Sequence, residues 1–189
     1  MLRELRPAIS LVVLFTLILG LAVPEAFTSA MQAALPWQAN GSLIRQNGKI
    51  IGSAIIGQNF TGANYFAPRP SALGTSYDAS TSGASNLGPT SASLLTAVQQ
   101  RVAAYTKAFG PGPVPADAVT ASGSGLDPDI SLANALRQAP AVAAARHLPT
   151  HTVVDLVNRM THHAAFGIVG LDHVNVLRLN LVLDALPAS

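Results

Sequence analysis

The sequence predicts an α+β protein: a single N-terminal transmembrane helix followed by one small extracytoplasmic α/β-type domain with a β-hairpin and several helices. Three observations carry that prediction. The run Pro7 to Val23 holds no charged side chain, and a helix rising about 1.5 Å per residue over that run reaches most of the way across a hydrocarbon core of roughly 30 Å. Asn47-Gly48 lies between two short strand-like stretches, and Asn-Gly tolerates the positive φ values of a type I′ hairpin turn. Leu94, Val98, Val102, Tyr105 and Phe109 recur at helical spacing.

The apolar run fixes the domain plan. It is apolar on every face, unlike the one-sided stripe of a helix packed in a soluble core. Arg3 and Arg6 precede it, Glu25 follows, and the next basic residue is Arg45. Basic residues prefer the cytoplasmic side. Residues 1–6 are therefore expected in the cytoplasm, 7–27 in the membrane, 28–40 as a membrane-proximal helix extension and 41–189 as a periplasmic soluble domain. A cleaved signal peptide is the alternative, but its apolar core is ordinarily shorter. Pro24 is a candidate kink. Trp37 suits either an interfacial aromatic or a side chain packed in the outer domain.

Composition narrows the chemistry. Charged residues make up 11% of the chain and the net charge is +2. No basic block exists, so no nucleic-acid partner is expected. The chain has no cysteine, which removes disulfides, thiolate metal sites and a cysteine nucleophile.

Beyond the anchor, Ser42–Arg45 and Ile50–Ile56 form the predicted hairpin, with a mostly buried second strand and Gly52 marking a bulge or a close approach. Phe60–Ala92 is long and irregular. Its aromatics argue that the first half packs, while the Ser/Thr/Gly/Asn run from Thr75 to Asn86 has the composition of a linker. Thr90 or Ser91 caps the helix that ends before Gly110, and Pro111, Pro113 and Pro115 impose an extended connector. A short strand is expected around Val119, followed by a glycine turn. Ser131 caps a helix that Pro140 is expected to interrupt. Thr150 caps another, with Val153, Val157 and Met160 on one face, and Gly167 and Gly170 close that region. In Val174–Leu186 the leucines alternate as in a strand, whereas length, leucine content and Asn175 as a cap favour a helix.

No phosphate-loop signature is present. Gly123-Ser124-Gly125 suits a tight turn better than an anion cradle, and Ser122 stands where a nucleophile elbow needs its first glycine. Of the five histidines, His147 and His151 are separated by Pro149, His162 and His163 are adjacent, and His173 stands apart, so no metal site is expected. Asp127 and Asp129 flank Pro128, where carboxylates more often cap a helix than bind a cation. Asn40-Gly41-Ser42 and Asn59-Phe60-Thr61 match the glycosylation pattern, a common chance match.

Several stretches taken together resemble one family. They are PWQANGSLI (Pro36–Ile44), GSAIIGQNFTG (Gly52–Gly62), YFAPRPSA (Tyr65–Ala72), SGASNLGP (Ser82–Pro89), VTASGSGLDP (Val119–Pro128) and VNVLRLNLVLD (Val174–Asp184). In order, spacing and anchor they resemble the C subunit of the Kdp potassium-transporting P-type ATPase, over essentially the whole chain. Departures fall at Ala84, Asp129, Leu132, Leu136, Arg137 and Leu171-Asp172-His173.

The resemblance implies an accessory, non-catalytic subunit of a high-affinity potassium uptake complex in the bacterial inner membrane. The implied partners are a channel-like potassium-binding subunit, a P-type ATP-hydrolysing subunit, a small single-span subunit and membrane lipid. The implied role is to stabilise assembly and act as a catalytic chaperone that raises the ATP affinity of the hydrolysing subunit. Potassium is then the transported ion. No cofactor is bound tightly, and ATP enters through the complex. Gln138 matches a glutamine that the family associates with nucleotide effects. Tyr65, Phe66 and Arg69, with Ser82, Gly83, Ser85 and Asn86 of the following loop, are the candidate partner contacts, since aromatics and Arg dominate such anchors. The alternative is that the aromatics are core. Competing functions are a stand-alone membrane-anchored periplasmic binding module and an anchored hydrolase using Ser122 or Ser124.

Overall fold

The computed structural model describes residues 2–74 and 77–186. Thr75 and Ser76, the start of the predicted linker-like run, lie outside the described residues. The chain divides into two compact units, Met1–Ile51 and Gly52–Ser189.

The first unit is dominated by one long helix. It comprises α1 (Leu2–Leu17), a single π-helical turn (Ile18–Ala22) and α2 (Val23–Ala34). The wide turn has a cause in Pro24, which lacks an N–H and so cannot close the ordinary ladder. The ladder instead loosens just upstream, and the Val23 N–H reaches back to the Ile18 carbonyl. Arg3–Ala34 is the one helix among the described residues long and apolar enough to cross a membrane, 32 residues in all. The helix breaks at Leu35, and Pro36 opens the short α3 (Pro36–Ala39), where a missing N–H costs nothing. The Trp37 indole N–H donates to the Leu43 carbonyl at 3.0 Å.

The hairpin follows as expected, with β1 (Leu43–Gln46), β2 (Lys49–Ser53) and both turn residues at positive φ, Asn47 at 51° and Gly48 at 77°. The expectation of a buried second strand does not hold. β2 ends at Ser53, where the Ser53 hydroxyl accepts from the Ile55 N–H at 3.3 Å, and Ile50 and Ile55 are exposed. The close approach at Gly52 is present: a Cβ there would lie 2.1 Å from Gln58 Nε2 and 2.8 Å from a Leu177 methyl.

In the second unit α5 (Leu132–Ala145), α6 (Thr150–Met160) and α7 (Val176–Asp184) pack around a core containing Ile130, Val142, Val153, Val157, Leu179 and Leu183. A two-stranded antiparallel ribbon joins them, β3 (Asp129–Ser131) against β4 (His173–Asn175), in the register Ile130↔Val174. α4 (Ala92–Phe109) carries Tyr105 into a smaller cluster with Ala118 and Val119. Ser91 caps α4 by accepting from Leu94 N–H at 3.5 Å, and Gly110 ends it at φ 87°.

Four details of this unit differ from the sequence reading. Ala116–Ala118 is a 3₁₀ turn and Val119 follows it as a buried residue, not a strand. α5 continues through Pro140 without interruption. The proline leaves the Leu136 carbonyl without its helical donor, but the burial of Ala135, Ala139, Val142 and Ala143 on both sides holds the helix together. Pro149, not Thr150, occupies the cap position of α6, which has no side-chain cap. β4 precedes the terminal helix, and Asn175 ends the ribbon and caps α7 together, accepting from Arg178 N–H at 3.1 Å.

Candidate functional site

Two side-chain amides organise the irregular segment after Gly62. Phe66 N–H donates to Asn180 Oδ1 at 2.9 Å, and Asn180 Nδ2 donates back to the Phe66 carbonyl at 3.0 Å. The next residue repeats the pattern: Ala67 N–H donates to Gln138 Oε1 at 2.7 Å, and Gln138 Nε2 donates to the Ala67 carbonyl at 3.1 Å. Each amide supplies one donor and one acceptor to one residue, as a neighbouring strand would. A stretch with no strand partner is thereby satisfied inside the fold.

Gln138 is embedded in a longer chain of bonds. Its second amide hydrogen goes to Asn134 Oδ1 at 2.9 Å, which also accepts from the Tyr105 hydroxyl at 2.8 Å. Asn134 Nδ2 donates to Asp117 at 3.0 Å, and Asp117 accepts from the Ser131 N–H and hydroxyl at 2.8 and 2.9 Å. Burial, the largest cause, pushes the Tyr105 hydroxyl up to about 12, with Arg137 opposing and Asp117 reinforcing the shift.

Above this network lies a cleft of about 550 Å³. Phe60, Tyr65, Tyr105 and Phe109 supply aromatic walls, Ala104 and Ala108 of α4 form one bank, and Arg101 is the one charged lining residue among the described residues. Tyr105 and Phe109 pack with ring centroids 4.7 Å apart, and Phe60 and Tyr65 at 5.5 Å. The Arg146 guanidinium sits 4.9 Å from the Tyr65 ring centre, and the Tyr65 hydroxyl donates to Asp184 at 3.2 Å. Arg101 is already engaged, donating to the Val119 carbonyl at 3.1 Å. Such a lining accepts an apolar or aromatic group. To the phosphate chain of a nucleotide, which draws on several N–H donors or cations, the described lining offers one guanidinium, that of Arg101.

A second cluster surrounds Arg69. Its guanidinium pairs with Asp127 at 2.8 Å, and both side chains are about a quarter exposed, 24% and 27%. The Tyr77 hydroxyl donates to the Arg69 carbonyl, and burial first, then Asp127, pushes Tyr77 up to about 12 against the opposing effect of Arg69. Ser71 donates to the Gly125 carbonyl at 2.7 Å, and Gly83 N–H and the Ser82 hydroxyl both donate to the Ser124 carbonyl at 2.9 and 3.1 Å. The loop from Ser82 is therefore pinned to the glycine turn. Gly125 sits at φ 69°, and a Cβ there would lie 2.9 Å from the Gly83 carbonyl.

The structure separates the predicted site residues into three groups. Tyr65 and Gln138 line the cleft together. Arg69, Ser82 and Gly83 belong to the pinned loop cluster, with Ser85 and Asn86 exposed beyond it. Phe66 is corrected: at 0% exposure it is core and offers no atoms to a partner. Gln138, 1% exposed with both amide hydrogens bonded internally, holds the cleft floor rather than projecting into it. The sequence reading missed Asn180, Asn134 and Tyr105 as parts of this network. The available signal was an asparagine set among leucines, since a polar group on a buried face is kept only where it is paired.

The family model described as "K+-transporting ATPase, c chain" matches residues 5–185. A potassium-transporting ATPase KdpC subunit from Caulobacter vibrioides is 53% identical over 98% of this chain and 94% of its own length. The like-named proteins of Allorhizobium ampelinum and Mycobacterium bovis are 50% and 51% identical, covering 100% and 97% of this chain and 100% and 99% of their own. On that match the chain belongs to the KdpC family, the C chain of the K⁺-transporting ATPases.

Proposed function

We propose that this chain is the accessory subunit of a high-affinity, ATP-driven potassium uptake complex of the bacterial inner membrane, and that it performs no reaction step itself. The basic residues before the apolar helix support an N-terminus in the cytoplasm, a span over 7–27, an extension over 28–40 and a periplasmic domain over 41–189. Its partners are the channel-like potassium-binding subunit, the P-type ATP-hydrolysing subunit, the small single-span subunit and surrounding lipid.

Within the complex it stabilises assembly and acts as a catalytic chaperone, raising the ATP affinity of the hydrolysing subunit without holding the nucleotide. A partner shifts an equilibrium only through contacts that differ between two states. The observation that carries this reading is the preformed aromatic cleft, whose polar groups are engaged from below. It suits an apolar anchor from a neighbouring subunit in one state of the pump. Gln138 influences nucleotide affinity by keeping the 65–69 segment, and so one cleft wall, in place. Tyr65, Arg69 and the loop of Ser82, Gly83, Ser85 and Asn86 extend that contact surface.

The test uses the whole complex in membranes. Ala108→Trp, which fills the cleft, and Gln138→Ala should raise the KM for ATP severalfold in potassium-stimulated hydrolysis while kcat is retained. An unchanged KM in both, with the complex still assembled, would reject the chaperone role. Recovery of the wild-type chain without membrane partners would reject the subunit reading and favour the anchored binding module. Orientation is read separately. The chain has no cysteine and Ser80 is exposed, so Ser80→Cys should react with an impermeant maleimide in intact cells.

A further inference from the structure

Residues 164–171 (Ala-Ala-Phe-Gly-Ile-Val-Gly-Leu) contain no polar side chain, yet their large members face solvent. Phe166 is 97% exposed, Ile168 and Leu171 are each 84% and Val169 is 62%. The segment is built as a hairpin between α6 and β4. His162 and His173 exchange backbone bonds at 2.9 and 3.0 Å at its base, and Ala165 and Val169 at 2.8 and 3.0 Å near its tip. Phe166 and Gly167 turn the tip at φ 55° and 74°. Asp172 braces the stem, accepting from Ala164 N–H at 3.0 Å and meeting His163 Nδ1 at 3.0 Å. Those contacts hold its carboxyl below the usual range.

This construction runs against the interests of the isolated chain. A bulky residue at positive φ is disfavoured, and Phe166 gains no burial in return. Local rules are broken without internal compensation where a surface serves something outside the fold.

We propose that the hairpin from His162 to His173 is a docking prong whose apolar tip seats in an apolar pocket on another subunit of the same potassium-transporting ATPase. The proposal rests on the subunit reading above. Two observations select this occupant. No Lys or Arg lies between Arg159 and Arg178, and the charged residue nearest the tip along the chain is Asp172. A loop that dips into an anionic bilayer surface carries cations at its rim instead. The exposed apolar area of the tip, on the order of 500 Å², marks an interaction site but falls short of the ~800 Å² per partner of a free-standing interface. It suits a contact between chains already held together by other means rather than a self-sufficient dimer of this chain. The backbone bonds closing the tip also leave fewer polar groups to strip of water when it is buried.

The test places a photoreactive benzoylphenylalanine at Phe166 in the full chain, co-expressed with the complete transporter in membranes. The expected product is a crosslink to another transporter subunit. In parallel, the combined change Phe166→Ser, Ile168→Ser and Leu171→Ser should lower recovery of the complex through this chain about tenfold, with the thermal unfolding of the chain unchanged. Crosslinking only to lipid, only to a second copy, or to nothing, while the wild-type chain still co-purifies with its partners, overturns the prong and leaves the subunit reading standing. Failure of the wild-type chain to co-purify overturns both.

Discussion

Two phenylalanines 100 residues apart in sequence meet opposite fates. Phe66 lies in a segment with no regular secondary structure and is 0% exposed; Phe166 lies at the tip of a hydrogen-bonded hairpin and is 97% exposed. Regular backbone pairing therefore does not decide burial here. What secures Phe66 is a pair of side-chain amides reaching from α5 and α7, which supply the donors and acceptors that the segment lacks. No such receiver meets Phe166 among the described residues, and the backbone bonds between Ala165 and Val169 and from Gly167 to Ala164 close the turn without one. An irregular segment with borrowed partners becomes core, and a regular one without them becomes a surface feature.

The contrast can be broken most forcefully at Phe66. Phe66→Ala should destabilise the chain by about 3–5 kcal/mol, as loss of a fully buried ring does, seen as a large fall in Tm of the detergent-solubilised protein. The amide clamp comes next. Asn180→Ala leaves the Phe66 N–H and carbonyl without partners, at about 1–3 kcal/mol for each buried group, and Gln138→Ala should do the same to a smaller extent at the half-buried Ala67. Hydrogen exchange at Phe66 should accelerate in the first variant and at Ala67 in the second.

A smaller effect is expected at alkaline pH, where Tyr77 and Tyr105 both retain their protons up to about 12 in the fold, against an ordinary value of 10.0. The unfolded chain releases those protons first, so their contribution is complete below pH 10 and declines from there towards 12. Tyr105→Phe and Tyr77→Phe should each flatten the decline in a pH series of unfolding midpoints. At the other extreme, Phe166→Ser should leave the stability of the chain within about 0.5 kcal/mol, as for other exposed positions. A marked loss of Tm there would show that the tip is packed and would erase the contrast.

Much of this molecule was legible from residue order. The uncharged run from Pro7 to Val23 announces a long apolar helix, and Arg3–Ala34 is long and apolar enough to cross a membrane. Asn47-Gly48 names its turn because few residues accept positive φ in succession, and Ser91, Ser131 and Asn175 announce helix starts because each can accept from the third N–H of the turn it caps. The ordered motifs pointed to the family, and the family match covers residues 5–185.

Other features were decided only by the tertiary structure. Pro140 breaks a helix in isolation, but buried neighbours on both sides of it hold α5 continuous. Gln138 stood out only through the family resemblance, and nothing in its neighbours announces that its hydrogens are bound to Asn134 and to Ala67, the latter 71 positions away. The side-chain preferences that mark turns and caps act within a few residues and can be read along the chain. The pairing of Gln138 with Ala67, and of Asn180 with Phe66, depends on which helix faces reach the same segment once the core has closed.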